Sequence, residues 1–166
     1  MDVLFDELIA GFPDAEGVAR IFARLLCAFL VGGLIGLQRE VRGKPAGLRT
    51  HMLVALGTTL IVLAAMDAGM QSNSDGMSRV VQGIVTGMGF LGAGAILKLY
   101  DERDVKGLTT AAGIWMTAGA GIAAGLGRYV LALSGALLAW FVLAILGRAE
   151  RRMDQRARAA ANESAD

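Results

Sequence analysis

Two stretches of this sequence concentrate the residue types that hold anions. Arg39, Glu40, Arg42 and Lys44 lead into Arg49, Thr50 and His51, and further on Lys106 leads into Thr109 and Thr110. Guanidinium and ammonium groups beside hydroxyls are the donors that a phosphate, nucleotide or lipid headgroup needs. Both stretches open long apolar runs, so each lies where a helix begins. A helix start presents unpaired N–H groups and the positive end of the dipole, and both favour an anion. Thr50 and Thr109 are also placed to cap those starts. The simpler reading is that these basic residues anchor helix ends at anionic lipid. His51 is the only histidine, and a lone histidine near a helix start is usually structural. Glu40 is placed to pair with Arg42 or Arg49.

The remaining charges offer less. Arg24 lies inside an apolar stretch, one turn beyond Arg20. Either it snorkels to the headgroups, or it pairs with Asp67 inside a helix bundle. Asp101, Glu102 and Asp104 form an acidic cluster. Magnesium keeps several of its waters and needs only one or two carboxylates, so such a cluster is a candidate site. A short loop of mixed charge is more simply a solvated one, and no resident cofactor or metal is expected. The lone Cys27 sits among apolar residues and reads as packing, with neither a disulfide nor a zinc spacing available. No nucleophile, base and orienting group fall together, so the sequence does not read as an enzyme.

The elements that position these residues are membrane helices. Of the 166 residues, 55% are hydrophobic, against about 45–50% in a soluble domain, and mean hydropathy is +0.55. The charges cluster between long apolar runs. A bilayer core about 30 Å thick takes roughly 20 apolar residues as a helix, and five stretches qualify: Ile21 to Leu37, Leu48 to Met66, Val80 to Leu97, Leu108 to Leu126, and Tyr129 to Leu146. Lysine and arginine gather after the first, third and fifth of these. By the positive-inside rule those segments are cytoplasmic, so the N-terminus is outside and the C-terminus inside. The expected organisation is an acidic non-cytoplasmic segment (1–19), a five-helix membrane domain (20–147) and a basic cytoplasmic tail (148–166). The formal net charge of +1 gives no reason to expect nucleic acid as a partner.

Helices in lipid associate through close backbone contact, which small residues permit. Gly113, Thr117, Gly121 and Gly125 form one ladder; Gly32 with Gly36, Gly83 with Gly87, and Gly135 with Ala139 form others. The run containing Gly87, Gly89, Gly92 and Gly94 is dense enough to lower helix propensity and let backbone atoms reach a ligand. An internal echo appears at an offset of 60 residues: Gly32 falls on Gly92, Gly47-Leu48 on Gly107-Leu108, and Thr50 on Thr110. Two such units of equal orientation would be parallel repeats, as in some transporters.

Four ordered motifs resemble the MgtC/SapB family of bacterial inner-membrane proteins. They are Gly32-Gly33-Leu34-Ile35-Gly36-Leu37-Gln38-Arg39-Glu40, Pro45-Ala46-Gly47-Leu48-Arg49-Thr50-His51, the glycine-rich Gly87 to Ile96, and Val105 to Ala112 with Trp115. The resemblance implies a multi-pass inner-membrane protein linked to growth under magnesium limitation and, in pathogens, to survival inside macrophages. It implies a regulator rather than a transporter, and inhibition of the F-type ATP synthase has been proposed for the founding member. Members with the virulence role often carry a soluble C-terminal domain, and this chain resembles the short form without it. Gln38 stands where the family usually has glutamate before the arginine, which puts a cation-binding or ion-pairing role there in doubt. The expected partners are membrane lipid, other inner-membrane proteins and a second copy of the chain. A small ion or anion transporter is the alternative.

Overall fold

Only two prolines interrupt the apolar runs, Pro13 and Pro45, and both fall outside the helices. The computed structural model describes residues 13–98 and 105–146. Helix α1 (Ala15–Val41) starts where the Asp14 carboxylate accepts the Gly17 N–H at 2.8 Å. Helix α2 spans Leu48–Asp67, and a short 3₁₀ turn, Met70–Ser72, leads to α3 (Ser74–Ala95). The Asn73 side chain caps α3 by accepting from the Asp75 and Gly76 N–H groups, each at 3.1 Å. Two-residue strands β1 (Leu97–Lys98) and β2 (Val105–Lys106) pair antiparallel, with Leu97 opposite Lys106. Helix α4 spans Leu108–Gly125 and α5 spans Tyr129–Phe141, the latter continuing as a π-helical turn over Val142–Leu146. The described residues are therefore all-helical apart from one minimal strand pair.

The helix bounds refine the expected spans. Helix α1 begins at Ala15, inside the segment expected to precede the membrane domain. Helix α3 stops at Ala95 because Ile96 turns extended and its successors pair as strand. Thr50 and Thr109 cap nothing: the helices start earlier, with Gly47 and Gly107 as their N-caps. Gly107 has φ +99°, a left-handed conformation that favours glycine, and a Cβ there would run into the Ala95 carbonyl. Residues 1–12, the cluster Asp101, Glu102 and Asp104, and the basic tail lie outside the described residues.

Helix α4 is the centre of the bundle, packing against each of the other four helices. Its ladder is filled by α2. A Cβ on Gly121 would come within 2.6 Å of the Ala55 carbonyl, and one on Gly125 within 2.8 Å of Val62 Cβ. On α1, a Cβ at Gly32 would lie 2.7 Å from the His51 carbonyl, and one at Gly36 would lie 2.8 Å from Leu48 Cα. These contacts set α1 antiparallel to α2, and α2 parallel to α4. Arg39 at the end of α1 reaches Thr110 at the start of α4, so α1 and α4 are antiparallel as well.

Small side chains fill the interior and large apolar ones face outward. Ala28, Ala55, Ala124, Ala132 and Ala136 are fully buried, and Cys27 is buried beside them, while Phe22, Leu53, Val130 and Leu138 are exposed. This reverses the water-soluble pattern and suits a lipid surround. Helices α1 and α2 are each long and apolar enough to cross a membrane, and Tyr129–Ile145 forms a shorter apolar helix. Helix α4 is mostly glycine, alanine and threonine, a composition set by its central packing rather than by contact with lipid.

The glycine-rich α3 does not lie inside the bundle, as its place among the motifs implied. Only Ile84 of α3 is buried. Gly87, Gly89 and Gly94 have nothing within 4 Å of an added Cβ, and Gly92 meets only the Ala111 methyl at 3.7 Å. These glycines bring no backbone to a ligand within this chain; they line an outer face. Gly36→Ala should therefore lower bundle stability by about 1–3 kcal/mol through overpacking. Gly87→Ala should leave it unchanged or raise it by up to ~1 kcal/mol, gaining helix propensity at no steric cost. Reversible unfolding in mixed micelles checks both.

Candidate functional site

The inward faces of α1, α2 and α4 meet along a line of buried polar side chains. Arg39, His51, Thr58, Thr59, Thr110 and Thr117 are the buried polar or charged residues among those described. Helical spacing explains the line: Thr110, Gly113, Thr117 and Gly121 recur at three and four residues and so share one face of α4. Small residues bring the neighbouring backbones close enough for short polar side chains to bridge them.

At the middle of the line Thr117 donates to the Gly113 carbonyl at 2.9 Å, and its oxygen lies 2.7 Å from His51 Nδ1. Which group donates across that contact depends on the ring's tautomer. His51 Nε2 is buried and makes no hydrogen bond among the described residues. Gly113 makes room for the ring: a Cβ there would sit 3.4 Å from His51 Cε1. Further along, Thr59 donates to the Gly121 carbonyl at 2.7 Å, joining α2 to α4.

At one end of the line lies Arg39, 2% exposed. Its Nη2 donates to the Thr110 hydroxyl, and its Nε is buried with no partner. Thr110 is in the first turn of α4 and His51 in the first turn of α2, so Arg39 stands between two helix starts. At the other end Arg24 donates from Nη1 to the Gly125 carbonyl at 2.8 Å and contacts Met66 Sδ at 3.0 Å. The expected Arg24–Asp67 pair does not form: Asp67 is exposed, and the guanidinium sits instead on the C-terminal carbonyls of α4. A cation there meets the negative end of the helix dipole.

The sequence-selected basic face thus divides in two. Arg39, His51 and Thr110 are brought together inside the bundle, whereas Arg49, Thr50, Lys106 and Thr109 stay exposed. Glu40 pairs with neither Arg42 nor Arg49. Its carboxylate accepts the Leu48 N–H at 2.9 Å and so caps α2, and Arg42 reaches the Ala144 carbonyl at 3.0 Å. A Cβ at Gly47 would strike that carboxylate. Thr59 and Thr117 complete the line. Sequence reading placed Thr117 on a packing ladder and passed over Thr59; threonine at helical spacing from glycine was the signal available for both.

This arrangement sits within a stretch that matches a family model, the MgtC family, over residues 25–152. The chain belongs to the MgtC family. It is 44% identical over 160 residues to Protein SrpB of Synechococcus elongatus, covering 91% of this chain and 84% of that protein. It is 40% identical over 131 residues to Protein MgtC of Salmonella typhimurium, covering 79% of this chain and 54% of that one. It is 39% identical over 137 residues to the Escherichia coli protein named "Putative magnesium transporter YhiD", covering 76% and 60%. The chain thus spans most of SrpB but about half of MgtC. No solved structure matches.

The MgtC-family match takes in the whole of α2 to α5 and most of α1, so the buried line belongs to the shared domain. Thr117→Val keeps the shape but leaves the buried His51 Nδ1 without its hydrogen-bond partner, and should cost about 1–3 kcal/mol. Arg24→Ala removes a charge-assisted bond at a half-buried position and should cost roughly 1–2 kcal/mol. Unfolding in mixed micelles reads both losses.

Proposed function

We propose that this MgtC-family protein is a five-span, non-catalytic component of the bacterial inner membrane that regulates other inner-membrane proteins by binding them. Its setting is adaptation to low magnesium or to stress inside a host cell, with the N-terminus outside the cytoplasm and the C-terminus inside. The observation that carries this reading is the outward face of α3. Gly83, Gly87 and Gly94 have open space in front of them, exposed Gln82 and Thr86 flank them, and Phe90 is 82% exposed. The glycines of α1 facing α2, and Gly121 and Gly125 of α4, are filled by neighbouring helices. In lipid an empty small-residue stripe with polar flanks is a surface on which another helix packs.

The topology is supported by helix direction and length. Successive helices run in alternating directions, and Arg39, Arg42, Lys44, Arg49 and Lys106 all fall at one end. The 27 residues of α1 and the 18 of α4 give about 40 and 27 Å of helix, against about 30 Å of hydrocarbon. The parallel repeat also has geometric support: Gly32 abuts His51 and Gly92 abuts Ala111, positions related by the same 60-residue offset.

A small ion or anion transporter is the second reading, favoured by the buried line through Arg39, His51 and Thr117. That line contains no carboxylate among the described residues, so it suits an anion better than the magnesium in the name of YhiD. Two measurements separate the readings. Single cysteines at Lys44 and Ser72, in a Cys27→Ser background, should label from the cytoplasmic and outer sides respectively. Purified protein in liposomes should carry no magnesium, potassium or phosphate, and a larger membrane complex should copurify with the wild type but not with Gly87→Leu. Saturable flux lost on Arg39→Ala would overturn the regulatory reading.

A further inference from the structure

We infer that the junction of α1, α2 and α4 binds a phosphoryl oxyanion, held by Arg39 between the first turns of α2 and α4. The starting point is a buried charge with no counter-charge among the described residues. Arg39 is 2% exposed, and its one hydrogen bond among the described residues goes to a neutral hydroxyl. The ion pair formed among those residues is Arg20–Glu16 at 3.7 Å, at the far end of α1. Glu40, the acidic neighbour of Arg39 in sequence, is exposed and committed to the Leu48 N–H. A buried guanidinium left in this state is unfavourable.

Its surroundings add to the positive potential. No side chain caps α4, whose first turn supplies Thr110. The positive end of the central helix therefore lies beside a buried cation that stands in the last turn of α1. One anion answers both, accepting from the idle Nε–H of Arg39 and from the start of α4. The His51 ring lies beside Gly113, about one turn from Thr110. The ligand chemistry is an oxyanion whose several oxygens accept from the guanidinium and the helix start together. This site is independent of the α3 face and holds whichever way the regulatory reading is decided.

The test uses the full chain in nanodiscs of phosphatidylcholine, in gluconate buffer at constant ionic strength. Inorganic phosphate at about tenfold its dissociation constant should raise the unfolding midpoint by about 3–6 °C. A parallel arm replaces phosphate with phosphatidylglycerol in the disc. A rise in the first arm alone supports a free oxyanion, a rise in the second alone supports a headgroup, and a rise in both supports a site open to either. Arg39→Met should lose the rise and, without anion, should be at least as stable as the wild type, because it removes an unpaired buried charge. The exposed Arg49→Gln should keep the rise. If Arg39→Met does not assemble, Thr110→Val carries the comparison and should bind at least about threefold more weakly. No rise in either arm, an equal rise in Arg39→Met, or unchanged affinity in Thr110→Val would overturn the proposal.

Discussion

Everything in this bundle depends on how closely α4 approaches the backbones of α1 and α2. Where an added Cβ on Gly121 would stand 2.6 Å from the Ala55 carbonyl, main chains are in contact. Dispersion between backbones and short interhelical hydrogen bonds then replace the hydrophobic driving force that lipid does not supply. The constraint reaches every helix. It requires glycine, alanine or threonine along the inner faces, and it leaves leucine and phenylalanine to the outer ones. It also gives α4 a composition of glycine, alanine and threonine, and the packing makes that helix central.

Close approach also decides what the buried polar groups can do. Thr59 and Thr117 have short side chains, and they bridge helices because the backbones are near enough to reach. The His51 ring lies against Gly113, where an added Cβ would stand 3.4 Å from its Cε1. A longer polar residue at either threonine would force the helices apart, and a shorter one would leave a carbonyl or ring nitrogen unpaired. Threonine is the residue whose reach matches the gap.

Much of this was legible in the sequence, for definable reasons. The apolar runs gave the helices, since hydrophobic length and periodicity are local properties. The ladder from Gly113 to Gly125 was legible because four-residue spacing on a helix always makes one face. The sequence could not tell which glycine face points inward. Gly83 and Gly87 have the same spacing as Gly32 and Gly36, yet the first pair faces open space and the second faces α2. That difference depends on which helices surround α4, a matter of tertiary arrangement. Basic residues behaved likewise. Arg39 and Arg49 look equivalent along the chain, but the rotation of each helix buries one and exposes the other. Caps were misread where a threonine near a helix start resembled a capping residue, while glycines had already begun the turn.

The two interior arginines of α1 make the sharpest comparison. Arg24 and Arg39 lie roughly four turns apart and reach opposite ends of α4. At the C-terminal end the carbonyl of Gly125 accepts from Arg24, and the dipole favours the charge. Arg24 is thereby a structural tie, although its Nε, like that of Arg39, is buried without a partner among the described residues. At the N-terminal end Arg39, in the last turn of its own helix, meets the start of α4, a single hydroxyl and no carboxylate among the described residues. Residue type and helix of origin are shared; the degree of burial and the end of α4 that each touches are not. A buried arginine with one neutral partner is the observation on which the proposed oxyanion rests.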